Sequence, residues 1–230
     1  MPTKRFQTGF TLVEIAIVLV IIGLLLGGIL KGQEMITQAR IKNVVNDFNG
    51  ITAAYFAYQD RYRQIPGDDN QAATRWADPS PPGGSVNGNG NGVVAGTYMF
   101  APPTTATAGA ESNNFWWHLR LAGFVAGATS GTAAWSQPVN AVGGLVGVQS
   151  GAPGTSATAP TLNGLVLCSA NVPDKIASAV DTQVDDQRSS TGQMFGYLQS
   201  TTPNPDISSL FAATDYVESG SNQYVICKKV

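Results

Sequence analysis

The sequence predicts an α+β protein: a long N-terminal membrane-spanning α-helix packed on a small antiparallel β-sheet head with long loops. Three observations predict it. From Ile15 to Leu30 there is no charged residue. Apolar residues then recur at spacings of three and four as far as Tyr62, the period of an amphipathic helix. Beyond that point short apolar runs alternate with Gly-, Pro- and Asn-rich stretches, the pattern of strands between turns. The expected divisions are a leader at 1–9, a helix at 10–63 (a transmembrane half, 10–30, and an amphipathic half, 31–63) and a head at 64–230.

Phe10 to Leu30 is apolar apart from Thr11, Glu14 and glycines, and about 21 residues give roughly 31 Å of helix, enough to cross a bilayer core. Lys4 and Arg5 precede it, which places the amino end in the cytoplasm and everything after Leu30 across the membrane. A cleaved secretory signal would need a small-x-small site after the apolar core. Instead Gly28-Ile29-Leu30 leads into Lys31-Gly32-Gln33-Glu34. Glu14 is the anomaly, since an ionised acid costs about 2.5–3.5 kcal/mol at mid-bilayer, less near the interface, unless it finds a partner. Gly23, Gly27, Gly28 and Gly32 contain small-xxx-small spacings, which let helices approach closely.

Ile41, Val44, Phe48, Ile51, Tyr55, Tyr58 and Tyr62 form the stripe of the second half, expected to pack on the head. Ile65-Pro66-Gly67 ends it, because proline cannot continue a helix and disfavours helical backbone before it. In the head, Val139–Val148, Leu162–Cys168 and Tyr224–Cys227 are candidate strands. Phe115–Leu121 reads as a short helix or strand with a dense aromatic face, and Ile176-Ala177-Val180 as a short helix. Asn87–Gly92 is expected to be a flexible surface loop, since it follows no strand and opens no helix as a phosphate cradle would. Asp68-Asp69 is expected to be a solvated cap. His118 shows no catalytic partner in the sequence and is expected to be a packed or surface histidine.

Composition excludes several classes. The 230 residues include 13 Lys+Arg and 15 Asp+Glu, only 12% charged, with a formal charge of −2. No basic stripe exists to bind nucleic acid, although Lys228 and Lys229 leave a small patch. One His and two Cys leave too few ligands for a zinc site built from those types alone. The balance points to a structural protein and not an enzyme.

Gly9-Phe10-Thr11-Leu12-Val13-Glu14, after a basic leader and before a long apolar helix, resembles the amino-terminal signal of type IV pilins and type II secretion pseudopilins. The resemblance is specific over about Lys4–Pro66 and implies cleavage between Gly9 and Phe10 by a prepilin peptidase, then N-methylation of the Phe10 amine. It implies that Glu14 accepts the Phe10 amine of an adjacent subunit during docking; the alternative is a snorkelling acid with no partner. Many type IV pilins have a helix-breaking proline where this chain has Lys31, so any melting of the helix on assembly would fall around Gly27–Gly32.

Cys168 and Cys227 are expected to form one disulfide, resembling the disulfide-bounded region of type IV pilins; two free thiols are the alternative. An oxidising compartment favours the bond. Major pseudopilins of type II secretion bind calcium in a carboxyl-terminal loop, and Asp181, Asp185 and Asp186 offer oxygen ligands here. No full calcium-loop spacing is present, so the expectation is no cofactor, with calcium as the weaker alternative.

The function implied is a structural subunit of a type IV pilus-like filament. Alternatives are a type II secretion pseudopilin, or a minor pilin with an adhesive or DNA-binding head. The partners implied are itself and other pilin-like subunits in a polymer, the prepilin peptidase and an inner-membrane assembly platform. The location implied is bacterial: single-pass in the inner membrane, then in a periplasmic or cell-surface filament.

Overall fold

The computed structural model describes residues 9, 11–76, 87–101, 110–156, 161–199, 202–208, 210 and 212–230. Residues 1–8 of the expected leader, Phe10, the Pro- and Gly-rich stretch at 79–84 and residues 157–160 lie outside them. The chain divides into two compact units, Met1–Ala39 and Arg40–Val230.

Helix α1 runs from Leu12 to Tyr62, one or two residues inside the expected limits. From Ile15 to Leu30 it is apolar all round, with Leu24 and Leu30 at least two-thirds exposed. Gly27–Gly32 are helical, and a Cβ at Gly23, Gly27, Gly28 or Gly32 would meet no atom within 4 Å. The helix ends where Arg63 turns left-handed (φ 57) while its N–H still bonds Gln59 O at 2.8 Å, a common helix stop.

In the second unit, α2 (Ala72–Arg75), α3 (Glu111–Leu121) and α4 (Asp174–Val184) accompany a four-stranded antiparallel sheet. Its strands are β1 (Val146–Ala152), β2 (Leu162–Pro173), β3 (Met194–Gln199) and β4 (Gln223–Lys229), in the order β1-β2-β4-β3. The last strand of the chain therefore sits inside the sheet. The expected strand at Val139–Val148 is shifted: Val139 makes only an isolated bridge to Leu145, the ladder begins at Val146, and the strand runs on to Ala152. The other two strands extend beyond their expected ends, and β3 was not expected at all.

Both faces of the sheet are covered. Val148, Leu167, Met194, Tyr224 and Ile226 pack with Ile41, Val44, Phe48 and Tyr58 of α1 and with Phe115 and Trp116 of α3. Val166, Cys168, Phe195, Tyr197, Val225 and Cys227 form a second cluster with Tyr98 and Ile207. Two buried faces leave no polar alternation along β4, which is why it reads as a short continuous apolar run. α3 is buried along Glu111–Arg120, its polar side chains included. The expected Trp pair divides between cores: Trp116 joins the main one, while Trp117 meets Trp135 edge-to-face at 5.0 Å.

Two expectations fail at the start of the head. Asp68 and Asp69 are buried, at 3% and 0% exposure, and are not a solvated cap. Asp69 takes a bidentate contact from Arg75 (2.8 and 3.0 Å) and the Tyr58 hydroxyl (2.6 Å). That phenol is held well above its ordinary pKa, by burial first and then by Asp69. The Asn-Gly run is not a loose loop, because it wraps two carboxylates. Asp68 accepts N–H groups from Gly90, Asn91 and Gly92, and Glu111 accepts those of Asn89 and Ala95. Bonds from Gly88, Val93 and Val94 complete eight consecutive occupied N–H groups. Ionised acceptors make such bonds strong, and they substitute here for a strand ladder. His118 is buried, stacked on Tyr58 at 6.1 Å, and its Nδ1 accepts the Gly67 N–H at 2.9 Å. Its ring proton therefore sits on Nε2.

Candidate processing and assembly site

The residues expected to carry function at the amino end lie on the entry to α1. Gly9 is exposed and outside the helix; Phe10 lies outside the described residues. Thr11 is the N-cap and Glu14 the third helical residue. Thr11 N–H and Thr11 Oγ1 both donate to Glu14 Oε2 at 2.8 Å, while Glu14 N–H donates to Thr11 Oγ1 at 3.3 Å. This is a capping box, in which two otherwise unpaired helix-end donors are satisfied reciprocally. Glu14 is thus not an acid without a partner: it holds the first turn of its own helix. The signal was legible as Thr-x-x-Glu, which the reading of Glu14 as an anomaly passed over. Among the described residues, Glu14 Oε1 takes no bond.

The cap also fixes where the helix begins. Among the described residues the first backbone bond of the helix runs from Ile15 N–H to Thr11 O, at 3.4 Å. α1 is long and apolar enough to cross a membrane, with an 18-residue window of mean hydropathy 2.8. Lys31 and Glu34 pair at 2.7 Å on its exposed surface, a contact worth little on its own.

At the other end, Cys168 and Cys227 are directly opposed in the β2–β4 ladder and form a disulfide, with Cα atoms 4.0 Å apart. Both are fully buried. The bond closes a separation of 59 residues that contains α4, β3 and the acidic turn between them.

Asp181, Asp185 and Asp186 do come together, each offering an oxygen within 4.8 Å of the others. They are also engaged by the chain. Asp181 accepts the Tyr216 hydroxyl (2.7 Å) and Gln187 N–H (3.0 Å). Asp185 accepts the N–H groups of Gln193 and Met194, and Asp186 those of Arg188 and the Thr191 hydroxyl. Burial pushes the Asp181 carboxyl up to about 6, against the opposing pull of the Tyr216 and Gln187 bonds. Gly192 is required here: its φ is +74, and a Cβ would overlap the Asp185 carboxylate. A solvent-facing cleft of about 410 Å³ lined by Asp186, Asp215 and Glu218 adjoins the cluster.

Compared with known proteins, residues 4–30 match the family model described as Prokaryotic N-terminal methylation motif. This motif is the signature of type IV pilins and pseudopilins, and it supports a pilin- or pseudopilin-like, membrane-anchored structural protein with other pilin-like subunits and a prepilin peptidase as its general partners. No curated protein and no solved structure matches the chain.

Proposed function

We propose that this chain, bearing the amino-terminal signature of type IV pilins and pseudopilins, is a structural subunit of a type IV pilus-like filament. It is cut between Gly9 and Phe10 by a prepilin peptidase and methylated on the new Phe10 amine. It then moves from the inner membrane into a homopolymer held by its amino-terminal helices, on an inner-membrane assembly platform. The observation that carries this reading is the methylation motif at residues 4–30, continuous with a helix able to span a membrane. An exposed, non-helical Gly9 supports access to the scissile bond.

Glu14 has two tasks in this reading. It caps its own helix through Oε2, and it accepts a neighbour's Phe10 ammonium in the assembled state, where an unpaired charge in apolar surroundings is expensive. Glu14→Gln separates them, since glutamine keeps the capping box but removes the charge. Filament yield in sheared fractions is expected to collapse for Glu14→Gln and Glu14→Ala alike, and to survive Thr11→Ala. Normal filaments from Glu14→Gln would leave Glu14 only the capping task. Amino-terminal sequencing of mature material tests the cleavage itself; a chain still beginning at Met1 would overturn the whole reading.

The reading includes no resident metal, because the Asp181–Asp186 carboxylates are occupied by hydrogen bonds from the chain. A second reading, a pseudopilin confined to the envelope, is supported by the convergence of those three oxygens. A chelator-sensitive melting temperature together with retention in the envelope after shearing would favour it.

A further inference from the structure

Asn87-Gly88-Asn89-Gly90-Asn91-Gly92 places three asparagines each before a glycine. This pairing suits a reaction intrinsic to the chain, because glycine has no Cβ to hinder it. The glycine backbone nitrogen attacks the asparagine Cγ. A C–N bond forms, the Cγ–NH₂ bond breaks, and the nitrogen's proton departs with the amide as ammonia. Water then opens the resulting succinimide at one of its two carbonyls, leaving aspartate or isoaspartate. The step needs a glycine N–H free to lose its proton and a carboxamide free to swing over it.

The fold withholds both. Gly88 N–H donates to Asp69 O at 2.9 Å. Gly90 N–H donates to Asp68 O and Oδ1 at 2.9 and 2.7 Å, and Gly92 N–H to Asp68 Oδ2 at 2.6 Å. The carboxamides are held too: Asn87 Oδ1 accepts Ala73 N–H, Asn89 Oδ1 accepts Asn91 N–H, and Asn91 Oδ1 accepts Val93 N–H. Burial is not what protects the run. Asn89 to Gly92 are exposed, and a cleft of about 370 Å³ lined by Arg63, Asp68, Gly90 and Gly92 faces solvent beside them. The Asp68 carboxylate also opposes deprotonation of the two glycine nitrogens it holds, since that would set like charges together.

We propose that Asn89 and Asn91 are a latent deamidation site held shut by the Asp68 carboxylate, which reacts when the loop leaves that carboxylate. The event is irreversible. Isoaspartate adds a methylene to the backbone, so the eight N–H groups from Gly88 to Ala95 can no longer meet their acceptors in register. The extent of reaction therefore accumulates with the time this corner of the head spends open, as a permanent covalent change.

The test uses the full chain in detergent, with its disulfide intact, incubated at mildly alkaline pH. Peptide mapping that resolves asparagine, aspartate and isoaspartate gives a rate at each site. Folded wild type is expected to react about tenfold or more slowly than the chain unfolded in urea, as for any process gated by local opening. Asp68→Asn is expected to accelerate Asn89 and Asn91 while Asn87 stays slow, because its own restraints come from Asp69 and Ala73. A slow Asn87 also certifies that the variant is folded. Equal rates in folded and unfolded wild type would overturn the proposal, as would a folded Asp68→Asn chain whose Asn89 and Asn91 react no faster than wild type. Should Asp68→Asn unfold, all three sites react together and the wild-type comparison decides.

Discussion

Asp69→Asn probes the contact that ties the end of α1 to the first turn of the head. Asp69 is fully buried and Arg75 about a quarter exposed, joined by three bonds of 2.8 to 3.0 Å with the Tyr58 hydroxyl on the same carboxylate. The substitution keeps the shape and removes the anion, leaving a largely desolvated guanidinium beside Tyr58. Breaking a buried pair from one side typically costs about 3–5 kcal/mol, whereas replacing both partners costs far less. Arg75 also lies 4.6 Å from the Tyr62 ring centre, an aromatic contact that recovers part of the loss, so the lower end, about 3 kcal/mol, is expected. For a domain of this size that lowers the melting temperature by about 6–12 °C. The assay is thermal unfolding of the full chain in detergent, followed by near-ultraviolet circular dichroism from the buried tryptophans. Adding Arg75→Met to Asp69→Asn is expected to recover stability, a non-additive outcome between contacting residues. A single-variant loss below about 1 kcal/mol, or a double variant that loses the sum of both, would refute the buried-pair reasoning.

Two further predictions concern the carboxyl-terminal region. The Asp181 carboxyl is raised in the folded chain from 3.8 to about 6, so the folded state holds an extra proton between those values and stability falls as pH rises through that window. Asp181→Asn removes the titrating group; its one oxygen can still accept the Gln187 N–H while its Nδ2 donates to the Tyr216 hydroxyl oxygen, so its stability relative to wild type is expected to rise between about pH 4 and pH 6; parallel pH profiles would refute this. The double change Cys168→Ala, Cys227→Ala is expected to cost about 4 kcal/mol by the loop-closure argument. Denaturant unfolding measures it, and a loss under about 1 kcal/mol would show that the β2–β4 ladder holds β4 in the sheet without the bond.

Legibility followed the range of the interactions. Apolar length, helical period and the Thr-x-x-Glu cap act between residues a few positions apart, so α1 and its stop before Pro66 were visible in the chain. β3 was not, because Gly196 interrupts its apolar run; the glycine is there because the Tyr216 ring lies where a Cβ would project. Asp68 and Asp69 look like surface acids until the loop twenty residues later closes over them. Nothing in Asp-Asp or Asn-Gly states that the two will meet.

The sequence by itself therefore determined the apolar helix and the Gly9-to-Glu14 signal, since each is a matter of composition and local spacing. Only the tertiary structure decided that the final strand lies inside the sheet, that Asp181, Asp185 and Asp186 converge, and that five loop N–H groups close on the Asp68 and Glu111 carboxylates. Those outcomes depend on hydrogen bonds and packing between distant segments, whose free energy no local pattern encodes.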